Sequence, residues 1–234
     1  MNREYHHWVS PTLGRTMETL VFGHAGSPVL VFPTTMGRFY QYEDFGMVAA
    51  LEAKLEAGYI QLFCPDSVDA ESWYNKAVPP RQRVRRHLDY ERYILNEYLP
   101  WVQERNPRPV IVTGTSFGAY HAVNLAFRYP ARFVKLVALS GRYDIKPFLD
   151  GYYDDDVYFN CPVDYLPGLT DPTYLDPLRR MQIFLVSGEH DIALSSTRAV
   201  AEALAAKGVP HQLAIWWERA HDWPLWREAI PHYL

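Results

Sequence analysis

The stretch Val110-Ile111-Val112-Thr113-Gly114-Thr115-Ser116-Phe117-Gly118 joins an apolar, β-branched run to a Gly-x-Ser-x-Gly turn, and a helix-like pattern follows as far as Pro130. A strand, a tight turn with a serine at its apex and a helix make a nucleophile elbow. Such a turn forces unusual backbone angles on the serine and brings strand and helix too close for side chains, so the flanking positions take glycine. Ser116 is expected to project from the edge of a sheet as a nucleophile.

On either side of this unit, short β-rich runs alternate with longer helical patterns. Trp8-Val9 and Thr19-Leu20-Val21-Phe22 read as early strands suited to antiparallel pairing. Val29 to Phe32, Tyr59 to Phe63, Val134 to Leu139, Ile183 to Val186 and Leu213 to Trp216 read as further strands. Helical spacing links Phe45, Val48, Leu51 and Leu55, and a third helical stretch runs from Ser195 to Ala206. The same spacing links Val84, Leu88, Leu95, Leu99 and Val102, with Pro100 expected to kink that helix or begin a new piece. This alternation predicts an α/β fold, a mainly parallel sheet covered on both faces. Residues 141–180 break the pattern: five prolines argue against a long helix there. They are expected to form an irregular, cap-like excursion, placed to cover Ser116, within a single domain of residues 1–234.

At 234 residues and 48% hydrophobic composition the chain suits one large α/β domain. A net charge of -4 with mixed acids and bases provides no broad electropositive field, so no nucleic-acid partner is expected. Arg81, Arg83, Arg85 and Arg86 read as the solvated end of a helix. The N-terminal residues lack the apolar core of a signal peptide and no apolar run nears a membrane span, which predicts a cytoplasmic protein without a membrane partner. Cys64 and Cys161 are read as free thiols, since they show no metal-ligand spacing. Asp154-Asp155-Asp156 lacks calcium-loop spacing and reads as solvated loop, so no metal is expected.

A serine hydroxyl needs a base, and the base needs an acid to fix its tautomer. In elbow-bearing α/β enzymes the chain order is serine, acid, histidine, which removes His6, His7, His24 and His87. His121, on the helix after the elbow, would be carried away from the serine and reads as a helix-face residue. His190, His211, His221 and His232 remain; His221, in the loop after the last strand, is the best placed. The strand from Ile183 leads into Gly188-Glu189-His190-Asp191, at the C-terminal strand ends where α/β active sites collect. Asp191 is the expected acid and Glu189 the runner-up, although Asp191 also stands where it would cap the next helix. Asp222 is expected to make local loop contacts. A tetrahedral oxyanion needs two N–H donors. One is expected from the Phe117 backbone and the other from the loop Pro33-Thr34-Thr35-Met36-Gly37-Arg38. Pro33 has no N–H, so Thr35 is favoured, ahead of Thr34 and Gly37; the threonines also suit simple satisfaction of the turn.

Taken together, the elbow, Phe32-Pro33-Thr34-Thr35, Gly188-Glu189-His190-Asp191 and Ala220-His221-Asp222-Trp223-Pro224-Leu225-Trp226 resemble an α/β-hydrolase. Within that fold the chain is similar to small bacterial esterases related to esterase D and the mycolyltransferases. Its last segment resembles the Gly-x-His-x-Trp-x-x-Trp pattern around their catalytic histidine, although Pro33-Thr34 stands where many relatives have His-Gly. The resemblance implies a triad of Ser116, His221 and Asp191 and acyl transfer without a cofactor. The expected activity is hydrolysis of a small-molecule ester, short-chain or aryl. Trp223, Trp226, Tyr152, Tyr153, Tyr158 and residues 39–44 either line a pocket or serve packing. Transfer of the acyl group to an alcohol, or a non-catalytic interaction role on the same fold, stays open, and nothing specifies an oligomeric state.

Overall fold

Eight strands form one sheet in the computed structural model, which describes residues 1–234. In chain order they are β1 (Arg3–Ser10), β2 (Arg15–Phe22), β3 (Ser27–Phe32), β4 (Ile60–Pro65), β5 (Val110–Thr115), β6 (Phe133–Leu139), β7 (Gln182–His190) and β8 (Gln212–Ala220). Across the sheet they run β1-β2-β4-β3-β5-β6-β7-β8. The first two pairings are antiparallel and the remaining five parallel. Between β3 and β4 lie α1 (Gln41–Asp44), α2 (Met47–Ala50) and α3 (Glu52–Glu56); α4 (Pro80–Tyr93) and α5 (Leu99–Arg105) precede β5. After β5 comes α6 (Phe117–Arg128), and α7 (Asp155–Tyr158), α8 (Pro162–Gly168) and α9 (Pro172–Arg180) separate β6 from β7. The last two helices, α10 (Leu194–Ala206) and α11 (Trp223–Tyr233), flank β8.

The central strands are apolar throughout because both faces are covered. Along β3, Leu30 and Phe32 join the cluster containing Tyr90 and Tyr93 of α4, Val123 of α6 and Leu204 of α10. The alternate residues Val29 and Val31 join Met47 of α2, Leu55 of α3 and Leu225 and Ile230 of α11. This period-two division places β5, and the serine that follows it, between two packed layers.

Several elements differ from the sequence expectations for physical reasons. The helix expected from Phe45 to Leu55 is divided at Leu51, whose φ of -102° and ψ of 2° leave the helical region. Before Pro100 the chain makes a π turn over Ile94–Tyr98, with the Leu99 N–H bonded to Ile94 O, and Pro100 sits in the first turn of α5. A proline lacks the N–H that would continue the ladder, so a new piece begins there. The arginine run is not uniformly solvated. Arg83 is buried, donating to the carbonyls of Asn75, Val78 and Phe148 and to Asp150, and Arg86 bonds Glu71 and Leu13 O. Residues 141–180 contain a 3-10 turn (Lys146–Phe148) and three short α-helices, and Asp154 caps α7 by accepting the Val157 N–H at 2.9 Å. No helix is long and apolar enough to cross a membrane.

Candidate active site

The parallel strands point the loops after β3, β5, β7 and β8 to one edge, the C-terminal edge where α/β sites form. At the centre, Ser116 has a φ of +55°, a backbone state that costs about 1–3 kcal/mol for a residue with a side chain and must be held by its surroundings. The flanking glycines allow it. A Cβ on Gly114 would lie 2.2 Å from Gly118 backbone atoms, and one on Gly118 would lie 2.4 Å from Phe32 O and 2.5 Å from Pro33 O. The two glycines thus press α6 against β5 and against the loop after β3.

His221 lies between β8 and α11. Its Nε2 is 2.9 Å from Ser116 Oγ, and its Nδ1 is 2.7 Å from Asp191 Oδ1. A carboxylate only accepts, so Nδ1–H donates to Asp191 and leaves Nε2 free to accept the serine proton. The Trp226 ring meets the imidazole edge-on at 5.1 Å, and its Nε1–H donates to Ser140 Oγ at 2.8 Å. β8 reaches this position because Gly188 in β7 has no side chain: a Cβ there would lie 2.2 Å from Arg219 O.

Asp191 is buried, and its Oδ1 also accepts the Ala193 N–H at 2.7 Å ahead of α10, so it acts as a local cap as well. Burial would raise its pKa, but the hydrogen bonds from His221 and the Ala193 N–H, with the Ser140 hydroxyl close by, outweigh that and hold it at about 2. Glu189 instead accepts the Glu218 N–H and stays away from His221's bonding partners. Asp222 caps α11 through the Trp223 N–H, His211 bonds Val209 O and His190 is exposed.

In the loop after β3, the Thr34 N–H donates to Gln41 Oε1 at 2.8 Å, the Met36 N–H to Asp69 Oδ2 at 3.3 Å and the Gly37 N–H to Thr34 O at 2.8 Å. The N–H groups of Thr35 and Phe117 bond to nothing in the chain. Thr35 Oγ1 lies 3.3 Å from the Tyr74 hydroxyl. His121 is neither at a solvated face nor near the serine hydroxyl; it is buried, with Nε2 2.8 Å from Asp69 Oδ1. Asp69 and Tyr74 escaped the sequence reading. Asp69 follows β4, and extending the strand-end rule to that strand points to it.

Aromatic rings surround the site. Phe148 packs 5.3 Å from Phe117 and 5.0 Å from Tyr74, while Trp223 stacks on Phe45 at 4.3 Å. Of the tyrosines that either line a pocket or serve packing, Tyr152 bonds Asp154, Tyr153 bonds Asp164, and Tyr158 lines a separate cleft of about 540 Å³. That cleft includes Phe127 and Arg128 at the far end of α6, roughly 16 Å along the helix from the serine. Phe39 and Tyr42 are core residues.

A mainly parallel sheet with helices on both faces and a serine at a strand–helix turn defines an α/β-hydrolase. Residues 43–234 match the model of the esterase family described as "Putative esterase"; the chain belongs to this family, and so to the carboxylic ester hydrolases. Its structure is similar to a ferulic acid esterase, with 18% identity and a TM-score of 0.79 over 99% of this chain and 95% of that one. It is also similar to an S-formylglutathione hydrolase from Staphylococcus aureus, with 18% identity and a TM-score of 0.70 over 99% and 94%. A 1-acylglycerol-3-phosphate O-acyltransferase from Saccharomyces cerevisiae is 33% identical over 63 residues, which are 26% of this chain and only 16% of that protein.

Proposed function

We propose that this esterase is a serine hydrolase that cleaves a carboxylic ester through an acyl-enzyme. The observation that carries this reading is the hydrogen-bonded row Ser116 Oγ, His221 Nε2, His221 Nδ1 and Asp191 Oδ1, at 2.9 and 2.7 Å. Ser116 attacks the ester carbonyl while His221 takes its proton, then returns it to the departing alcohol. Water, deprotonated by the same histidine, releases the acid. Asp191, ionised at neutral pH, keeps the imidazole in the required tautomer and stabilises the imidazolium. The unbonded N–H groups of Phe117 and Thr35 receive the oxyanion, at the positive end of α6.

Residues 141–180 serve as a cap over the elbow within one functional unit of residues 1–234, a role supported by the Phe148 contact with Phe117. The rings of Tyr74, Phe148 and Trp223 favour a short-chain or aryl ester over a highly charged one. Fluorophosphonate labelling followed by location of the adduct tests the assignment. Folded protein should be modified at Ser116 and Ser116→Ala should be inert to the label and to an activated aryl ester; near-normal turnover by the variant would refute it. The short similarity to an acyltransferase supports one second reading, passage of the same acyl group to an alcohol. Product analysis with a competing alcohol separates the two.

A further inference from the structure

We propose that Asp69 is a positioning residue that sets both oxyanion donors at once, tying the loop after β3 and the first turns of α6 to a single buried carboxylate. The inference rests on the serine-hydrolase reading above and gives a role to a pair that the relay does not use.

Asp69 is 1% exposed and His121 4%. One carboxylate oxygen accepts the Met36 N–H at 3.3 Å and the other accepts His121 Nε2–H at 2.8 Å. Met36 has a φ of +51°, so the loop needs an external tie to keep this turn. Its other end is tied too: Gln41 Oε1 accepts both the Thr34 N–H at 2.8 Å and Thr34 Oγ1 at 3.0 Å. Held on both sides, the loop presents the intervening Thr35 N–H unbonded. The Asp69 carbonyl also accepts the Ser72 and Tyr74 N–H groups, and the Tyr74 hydroxyl meets Thr35 Oγ1, so the backbone of Asp69 braces the same loop from a second direction.

On the helix side, His121 lies four residues after Phe117 on the same face of α6, and the two rings meet edge-on at 5.1 Å. The donors at Thr35 and Phe117 belong to segments far apart in sequence. Asp69 is where side-chain bonds join them, and an oxyanion requires both to aim at one point.

Asp69→Leu removes both acceptor oxygens. Asp69→Asn can accept from Met36 and, with the other imidazole tautomer, donate to His121. The probes are a p-nitrophenyl ester for turnover and a trifluoromethyl ketone for the tetrahedral adduct. Asp69→Leu should lower kcat about 10- to 100-fold and weaken the ketone in parallel, with KM changed less than about threefold; Asp69→Asn should recover most of the loss. If Asp69→Leu does not fold, His121→Leu against His121→Gln makes the same comparison on the helix side, since glutamine keeps a donor. A folded leucine variant with near-normal kcat, or an asparagine or glutamine variant no better than its leucine counterpart, overturns the proposal. Ser116→Ala separates the two readings. Near-normal turnover by it overturns both, whereas a Ser116→Ala reduced to background beside a fully active Asp69→Leu overturns only the role of Asp69.

Discussion

Replacing Asp191 with asparagine separates charge from shape at the acid end of the row. The carboxylate is 6% exposed and accepts from His221 Nδ1 and the Ala193 N–H, each at 2.7 Å. Burial pushes its pKa up and the hydrogen bonds push it further down, to about 2 from an ordinary 3.8. That difference corresponds to about 2 kcal/mol of folding stability. Because the folded value lies below the unfolded one, the contribution is fully present above about pH 4 and is lost as the pH falls through about 2. Asp191→Asn has no proton to take up. In urea unfolding followed by tryptophan fluorescence, the stability of the native protein relative to the variant should decline by about 2 kcal/mol between about pH 5 and pH 2. At neutral pH, where folding is intact, turnover of an aryl ester should drop by about 10³- to 10⁴-fold, because an amide no longer selects the Nδ1–H tautomer. Stability differences that stay constant through the acid window, or turnover within about tenfold of normal, would refute the reasoning. Glu189→Gln should change neither quantity.

Three further substitutions test packing. Gly118→Ala drives a Cβ into the Phe32 and Pro33 carbonyls, which cannot rotate away; a loss of about 1–3 kcal/mol in thermal or urea unfolding is expected. Gly188→Ala meets Arg219 O at 2.2 Å and pushes β8, and with it His221, away from Asp191. Turnover should fall at least about tenfold, and a variant with native kcat would show that the close approach is dispensable. Arg83→Ala leaves the Asn75 and Val78 carbonyls without the Arg83 donor, while Phe148 O and Asp150 keep Lys76, so Tm should fall by the equivalent of about 1–2 kcal/mol. A silent substitution would return Arg83 to the solvated face suggested by its neighbours in sequence.

The arginine run shows why some features resisted reading. Four arginines within six positions look like a solvated helix end, yet a helix turns its side chains in different directions and α4 aims Arg83 at the Phe148 carbonyl and Asp150, more than sixty residues away. In a similar way, the sequence places His121 on a helix face but carries no signal that α6 is enclosed on nearly every side. The strands were more legible because a buried parallel strand must be apolar at every position, and that signal is local. So was the elbow, where two glycines and a serine answer to the geometry of a single turn.

Chain order alone determined the strand–helix alternation, the α/β-hydrolase resemblance and the small set of residues at the C-terminal strand ends from which Ser116, Asp191 and His221 were named. Those properties follow from short-range periodicity and from a topology that sends successive strand ends to the same edge. Tertiary structure alone decided which carboxylate meets His221, which N–H groups of the loop after β3 are left unbonded, and that Asp69 bridges that loop to α6. A hydrogen bond needs two groups within about 3 Å and correctly aimed, and between residues dozens of positions apart only the packed fold sets that distance.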